Sequence, residues 1–183
     1  MTYVSRAGGK LEAAIEYFGV DVKDKICLDV GAATGGFTDC LLQYGAKKVY
    51  TVETGYGVLD WKLRNDPRVV VRERTNILYE VNIAEKVDIA VVDTSWTRLK
   101  LSVPAASQLI KPGGIILALV KPQYEVERKY LRKGVVIEEK LTQVVEKVRQ
   151  ELEELKFTVS QPFQSPVVGE GGNREFWVQV MVK

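Results

Sequence analysis

Residues 26–37, ICLDVGAATGGF, join a short apolar run to a glycine-rich turn and then to an aromatic residue. Ile26–Val30 is apolar and rich in strand-forming residues, which predicts a buried β-strand. After the turn, Phe37, Cys40, Leu41 and Tyr44 recur at helical spacing. Strands with so few polar positions are typical of a parallel sheet covered by helices on both faces. Four further runs of this kind follow, at residues 48–53, 69–73, 87–93 and 115–120.

The segments around these strands complete an α/β pattern. Apolar residues repeat at helical spacing before the first strand and again after the fifth. The last two strand candidates, residues 157–164 and 175–182, have only a short glycine-containing segment between them, so we expect them to pair antiparallel. The sequence therefore predicts a doubly wound, mostly parallel sheet with a C-terminal antiparallel hairpin, in one domain spanning residues 1–183. The helical positions are Leu11, Ala14, Ile15 and Phe18, and later Leu141, Val144, Val145, Val148, Leu152 and Leu155.

Composition excludes several classes of protein. The 183 residues carry 26 Lys plus Arg against 24 Asp plus Glu, so any basic surface must be local. Histidine is absent, which excludes Ser–His and Cys–His nucleophiles, imidazole bases and histidine metal sites. Cys27 and Cys40 have no metal-ligand spacing and favour a reducing compartment. No apolar run approaches the ~18–20 residues of a membrane span, and no signal peptide opens the chain. We therefore expect a soluble, cytoplasmic protein.

The turn after the first strand is the first candidate for ligand binding. Gly31, Gly35 and Gly36 allow positive φ and a close approach to the backbone, although a tight turn without a ligand would use the same residues. The spacing is neither that of a dinucleotide fingerprint nor that of a P-loop. Glu53 ends the second strand, where a carboxylate can accept both ribose hydroxyls, and Asn76 could bond an adenine edge. With Asp93 at the end of the fourth strand, these residues indicate a pocket for an adenosine without phosphates, and S-adenosylmethionine is the natural candidate.

Three charged residues stand where a reaction would need them. Lys121 follows the fifth strand directly, before Pro122, and Lys10 opens the first helix. Glu175 begins the final strand. Taken singly, each could equally be a capping charge or a charge at the rim of the fold.

Several segments of the sequence resemble the motifs of a known family. The segments SRAGGKL, LDVGAATGGFTDCLL, VDTSW, LVKPQYE and GNREFW are similar to motifs of the hemolysin-like (TlyA-type) ribosomal RNA 2′-O-methyltransferases, within the FtsJ-like methyltransferase superfamily. The resemblance implies a Rossmann-like class I methyltransferase that transfers a methyl group from S-adenosylmethionine to the ribose 2′-hydroxyl of cytidine in ribosomal RNA. It also implies a preceding RNA-binding domain, for which we find no counterpart in these residues. The implied catalytic residues are Lys10, Asp93, Lys121 and Glu175, and the implied cofactor positions are Gly31, Thr34, Gly35, Gly36, Phe37, Glu53 and Asn76, with Asp93 at the border.

A mechanism follows from these residue types. The sulfonium methyl group is already activated, so the enzyme must align it with the ribose oxygen and make that oxygen a better nucleophile. Without histidine, a lysine is the plausible base, and Lys121 would act as the base or would orient the hydroxyl. Asp93 and Glu175 would position the lysines, and Lys10 would steer the ribose or its phosphate. No metal is required.

RNA contact is expected beside this site. A stretch after the fifth strand mixes cations with Tyr124 and Tyr130, and phosphate pairing and base stacking would explain that composition. A solvated loop interrupted by Glu125 and Glu127 would explain it nearly as well. The candidate RNA-binding residues are Arg6, Arg128, Lys129, Arg132 and Lys133.

Alternative functions remain open at this stage. The chain could methylate another RNA or a small hydroxyl compound, or it could bind cofactor and RNA without catalysis. A membrane-lytic protein would need an apolar or amphipathic membrane segment, and the sequence contains none. Ribosomal RNA or ribosomal subunits are the expected partners, while the target nucleotide and the oligomeric state are left undetermined.

Overall fold

The computed structural model describes residues 2–79 and 81–183, with only the backbone at residue 170. The main sheet is ordered β3-β2-β1-β4-β5-β10-β8, with β9 also pairing to β10, and β6 and β7 form a separate hairpin. The strands are β1 Ile26–Val30, β2 Lys48–Val52, β3 Val69–Arg72, β4 Val87–Val92, β5 Ile110–Val120, β6 Leu131–Arg132, β7 Val135–Val136, β8 Thr158–Val159, β9 Phe163–Gln164 and β10 Phe176–Met181. The helices are α1 Ala7–Phe18, α2 Gly36–Gln43, α3 Trp61–Arg64, α4 Leu99–Ser107, α5 Pro122–Glu125 and α6 Glu138–Glu154.

The predicted α/β architecture is confirmed. Strands β1 to β5 pair in parallel, and the strand order reverses between β1 and β4. In open sheets of this kind, the crevice beyond the carboxyl ends at the reversal point is where ligands bind. The sequence therefore places the residues that follow β1, β2 and β4 around one crevice.

The C-terminal strands refine the predicted hairpin. Strand β10 pairs antiparallel with β5 on one side and with β8 and β9 on the other. The expected single strand at residues 157–164 is in fact two short strands, because Pro162 between them cannot donate a ladder hydrogen bond. Ser160 keeps the pairing continuous at the break: its N–H donates to the Gln179 carbonyl, and its hydroxyl accepts from the Gln179 N–H, both at 2.9 Å.

An apolar cluster covers each face of the sheet. On one face, α4 and α6 pack through Val103, Ala106 and Leu152, among others. On the other face, α1 and α2 pack against the sheet around Trp177. Both cysteines are free, buried thiols on this second face, and burial raises the pKa of each to about 12, so neither is a nucleophile at neutral pH.

The structure also contains elements that the periodicity did not indicate. Helix α4 carries Pro104 in its interior, a residue that normally argues against a helix. Strand β5 begins at Ile110, earlier than expected, with a register shift against β4 near Gly113. Within the described ranges, no helix combines the length and the apolar character that a membrane crossing requires.

Candidate active site

A cleft of about 440 Å³ lies beyond the carboxyl ends of β1, β2 and β4. Of the residues expected to hold a cofactor, Gly31, Glu53, Asn76 and Asp93 line this cleft. Its volume is within the range of small-molecule sites. The other lining residues are Val30, Ala33, Val52, Thr54, Thr75, Ile77, Thr94, Ser95, Trp96, Thr97 and Lys121.

Gly31 is required where β1 meets the end of β4. Its φ is +85°, and a Cβ atom there would lie 2.1 Å from the Asp93 carbonyl oxygen. The glycine therefore brings Asp93 against the end of β1, within the cleft wall.

The remaining residues of the turn serve the packing of the chain. A Cβ atom at Gly36 would lie 2.2 Å from the Ser5 hydroxyl oxygen, so this glycine lets the start of α1 approach the start of α2. Gly35 packs against Leu63, and Phe37 is buried with its ring centroid 5.4 Å from that of Trp177. Thr34 is exposed and uses its carbonyl to accept from the Asp60 N–H. Gly35, Gly36 and Phe37 are therefore buried and Thr34 is exposed, and none of the four is among the residues that line the cleft.

Glu53 is held by main-chain donors. Its Oε2 accepts from the Ala33 N–H at 3.0 Å, and its Oε1 accepts from the Gly55 N–H at 2.7 Å. These bonds fix the carboxylate across the mouth of the glycine-rich turn. Asn76 is similarly fixed, since its Oδ1 accepts from the Leu78 N–H at 3.0 Å.

Asp29, on β1 beneath the cleft, is a buried carboxyl that the sequence analysis did not single out. Its Oδ2 accepts from the Thr38 hydroxyl at 2.7 Å, while its Oδ1 has no hydrogen-bond partner among the described residues. Complete burial raises its pKa to about 7, and the carboxylates of Asp93 and Glu53 act in the same direction. An aspartate inside a run of buried strand residues was the available signal.

Two lysine–carboxylate pairs stand beside the cleft. Lys121 Nζ forms an ion pair with Asp93 Oδ1, and Lys10 Nζ lies 2.6 Å from Glu175 Oε2. All four side chains are largely buried, and Glu175 is only 2% exposed. The structure thus brings together the ends of β4 and β5, helix α1 and the start of β10.

A second pocket, of about 250 Å³, opens on the other side of these pairs. Lys121 and Ser95 line both this pocket and the cleft, so they form the boundary between them. Arg6, one of the expected RNA-binding residues, also lines the second pocket. The complete lining is Ser5, Arg6, Ala7, Lys10, Ser95, Lys121, Gln123, Tyr124 and Glu175.

The second pocket continues into an open groove of about 640 Å³. Trp96 is 90% exposed there, with its ring centroid 5.3 Å from that of Tyr124. Arg128 and Lys133 line the groove. Two other expected RNA-binding residues lie outside it: Lys129 pairs with Glu127 at 2.9 Å, and Arg132 is exposed elsewhere on the β6–β7 hairpin.

Metal ligands do not gather at this site. Within residues 2–79 and 81–183, no three Cys, Asp or Glu side chains are grouped as a metal ion would require.

The parallel sheet with its crevice at the reversal point, and the acidic side chain after β2, define a Rossmann-like fold. The sequence model of the FtsJ-like methyltransferase family matches residues 3–181, and the chain belongs to this family.

Named relatives agree with this assignment. "Putative rRNA methyltransferase YqxC" of Bacillus subtilis is 44% identical over 186 residues, which cover 96% of this chain and 64% of that protein. The "16S/23S rRNA (cytidine-2'-O)-methyltransferase TlyA" of Mycobacterium tuberculosis is 40% identical over 180 residues, covering 96% of this chain and 67% of TlyA. A crystal structure titled as a "putative hemolysin" from Lactococcus lactis matches with a TM-score of 0.94 at 38% identity, covering 99% of this chain and 89% of that one. The chain thus spans about two thirds of the length of these named methyltransferases.

Proposed function

We propose that this protein transfers a methyl group from S-adenosylmethionine to a ribose 2′-hydroxyl of RNA, with cytidine in ribosomal RNA as the target. The observation that carries the proposal is the position of Lys121, which lies on the boundary between the cleft and the second pocket. A group at that boundary can reach both a methyl donor on one side and an acceptor hydroxyl on the other. The names of YqxC and TlyA support ribosomal RNA as the acceptor.

The residues of the cleft fit S-adenosylmethionine. Glu53 presents a carboxylate after β2 for the ribose hydroxyls, Asn76 offers an amide to the adenine, and Ile77 supplies apolar surface. Gly31 and Ala33 leave the backbone of the turn open to the cleft. When bound, the cofactor would supply an electrophilic methyl group.

The two ion pairs would prepare the acceptor. Asp93 orients Lys121 Nζ, which as the neutral amine would receive the proton of the 2′-hydroxyl while that oxygen takes the methyl group and the S–CH3 bond of the donor breaks, its electron pair remaining on sulfur. Glu175 orients Lys10, whose ammonium group would hold the ribose or its phosphate. The largely buried setting of both pairs strengthens these interactions relative to bulk water.

The groove favours a polymer over a small molecule as the acceptor. A metabolite would be enclosed by the second pocket of about 250 Å³, whereas that pocket continues into a groove with exposed Trp96 and the cations Arg128 and Lys133. Exposed aromatic rings and cations suit the bases and phosphates of single-stranded RNA. Ribosomal RNA as substrate would also place the protein in the cytoplasm.

The proposal is tested by incubating the protein with tritiated S-adenosylmethionine and unmethylated 16S and 23S transcripts, in parallel with the two ribosomal subunits. Digestion to nucleosides and mass spectrometry should reveal 2′-O-methylcytidine. Label on a base, or label on none of the four substrates while cofactor binds, would refute the proposal. Labelling of subunits alone would show that the acceptor needs assembled ribosomal protein.

A further inference from the structure

The β6–β7 hairpin lies next to the basic residues of the groove, Arg128 and Lys133, but it is not part of the main sheet. Among the described residues its strands pair with each other and with no strand of the main sheet, Leu131 opposite Val136 and Arg132 opposite Val135. An isolated two-stranded hairpin is marginally stable by itself. Something outside the hairpin must therefore fix its position relative to the reacting groups.

Asn173 provides that connection. Its Nδ2 donates to the Gly134 carbonyl at 2.9 Å, and its Oδ1 accepts from the Val136 N–H at 3.1 Å. The carboxamide thereby pairs with main-chain groups on both sides of Val135, as a neighbouring strand would. Asn173 is only 4% exposed, so these bonds are made with little competition from water.

The segment that contains Asn173 also contains Glu175, whose carboxylate belongs to the proposed acceptor site. Glu175, two residues later, pairs with Lys10, and its own carbonyl accepts from the Ser165 N–H at 2.9 Å. Gly169 packs so tightly against Glu175 that a Cβ atom there would lie 2.1 Å from Oε1, and the Gly169 N–H donates to the Asn173 carbonyl at 2.9 Å. These contacts fix residues 173–175, which lead into β10, in position next to Lys10.

We propose that Asn173 is a positioning residue that fixes the basic hairpin relative to the Lys10–Glu175 pair, so that RNA held by the hairpin presents its ribose to Lys121. This inference rests on the proposed function, because it concerns the placement of the RNA acceptor. Asn173 lies in the wall of the groove, but both ends of its carboxamide are bonded to the backbone of Gly134 and Val136, and it acts through that backbone.

The test uses Asn173→Ala, which removes both bonds, and Asn173→Asp, which keeps the acceptor and replaces the donor by an oxygen facing the Gly134 carbonyl. We expect the KM for RNA to rise about tenfold in each variant with kcat altered less than about threefold, since the loss lies in binding. The dissociation constant of S-adenosylmethionine should not change. Asn65→Ala is the matched control, because it removes a comparable bond, from Nδ2 to the Trp61 carbonyl at 2.7 Å, away from the groove.

Hydrogen–deuterium exchange gives a readout independent of activity. Amides of residues 131–136 should exchange faster in both Asn173 variants, while those of β1 and β4 keep wild-type rates. An unchanged KM for RNA, unchanged exchange in the hairpin, or a loss of cofactor binding together with kcat would each overturn the inference. Failure of the wild type to methylate any RNA would instead refute the proposed function, and the exchange experiment would still decide whether Asn173 holds the hairpin.

Discussion

The two sides of the site are built by different means. On the cofactor side, the neighbouring parallel strands β2, β1 and β4 deliver Gly31, Glu53 and Asp93 to one edge, and main-chain N–H groups hold the Glu53 carboxylate. On the acceptor side, Lys10 and Glu175 come from positions 165 residues apart and are held by their side-chain pair. The cofactor side is therefore set by the direction of neighbouring parallel strands. The acceptor side is set by contacts between side chains that are far apart in the sequence.

This difference has a consequence for mutagenesis. Removing a side chain on the cofactor side leaves the main-chain scaffold in place, so cofactor affinity should change while the acceptor side stays intact. Removing one member of an ion pair leaves its partner buried without a counter-charge. The two sides should therefore respond separately to substitution.

Replacing Lys121 by Ala should have the largest effect. Methyl transfer should fall by about 10²–10⁴-fold, the contribution typical of a positioned general base. Cofactor affinity, measured by calorimetry, should fall far less than the rate, because Lys121 contributes to the cleft through Asp93 while Gly31, Glu53 and Asn76 stay in place. Single-turnover transfer of a tritiated methyl group to RNA measures the first quantity.

Lys121→Arg separates a base from an orienting charge. Arginine keeps the positive charge beside Asp93, but it does not lose a proton in proteins. If Lys121 accepts the hydroxyl proton, the Arg variant will be as inactive as the Ala variant. Activity near wild type with arginine would assign to Lys121 an orienting role only.

Glu53→Ala should weaken S-adenosylmethionine binding about hundredfold, because hydrogen bonds to a charged group contribute ~1.5–3 kcal/mol each. RNA affinity, measured by filter binding, should remain as in the wild type. Glu85→Ala is a suitable control, since Glu85 pairs with Lys48 at the opposite end of β2, at 2.5 Å. Parallel loss of RNA and cofactor affinity in Glu53→Ala would show that the two sides are coupled after all.

Asp29 should make the stability of the cofactor side depend on pH. Its pKa rises from 3.8 to about 7 on folding, so between these values the folded state holds more protons than the unfolded state. Its contribution to stability is therefore greatest below pH 4 and is lost as the pH rises through 7.

Asp29→Asn removes this titration while keeping the shape of the side chain. Relative to that variant, the wild type should lose about 2–3 kcal/mol of unfolding free energy between pH 5 and pH 8. Urea unfolding at both pH values measures the difference. A constant difference across this range would mean that Asp29 is ionised throughout.

The smallest effect distinguishes two neighbouring cations of the groove. Arg128→Ala should raise the dissociation constant for RNA about fivefold and reduce its salt dependence, as expected for the loss of one phosphate contact. Lys129→Ala should change it less, because Lys129 is paired with Glu127 and lies over the Tyr130 ring. Equal losses in both variants would show that only the total charge matters, rather than the lining of the groove.

Much of the cofactor side could be predicted from the sequence. The apolar runs gave the parallel strands, and the ends of parallel strands meet at one edge, so Glu53, Asn76 and Asp93 could be placed together. The cofactor role of Gly35 and Gly36 stays a prediction, and their tight contacts with Leu63 and Ser5 could not be predicted, because these depend on how separate helices pack. Hydrophobic periodicity contains no information on such contacts.

The acceptor side was harder to predict. Their positions next to predicted strands and a helix singled out Lys10, Lys121 and Glu175, and the family resemblance implied their catalytic roles. No local pattern gives the pairing of Lys10 with Glu175 across the length of the chain. The same limit applies to Asn173, whose bonds join a loop to a hairpin 37 and 39 residues earlier. Asp29 was not predicted as a site residue for a different reason. One polar residue does not alter the apolar character of a strand.

The place of β10 in the sheet also bears on biosynthesis. Among the described residues, β8 and β9 pair with the sheet through β10 alone, so this pairing cannot form before residues 176–181 have emerged from the ribosome. The strands that form the cofactor cleft are translated well before that point. Under the proposed function, a nascent chain could therefore form its cofactor cleft while still lacking Glu175, and the acceptor side would be complete only after residues 175–181 have been made.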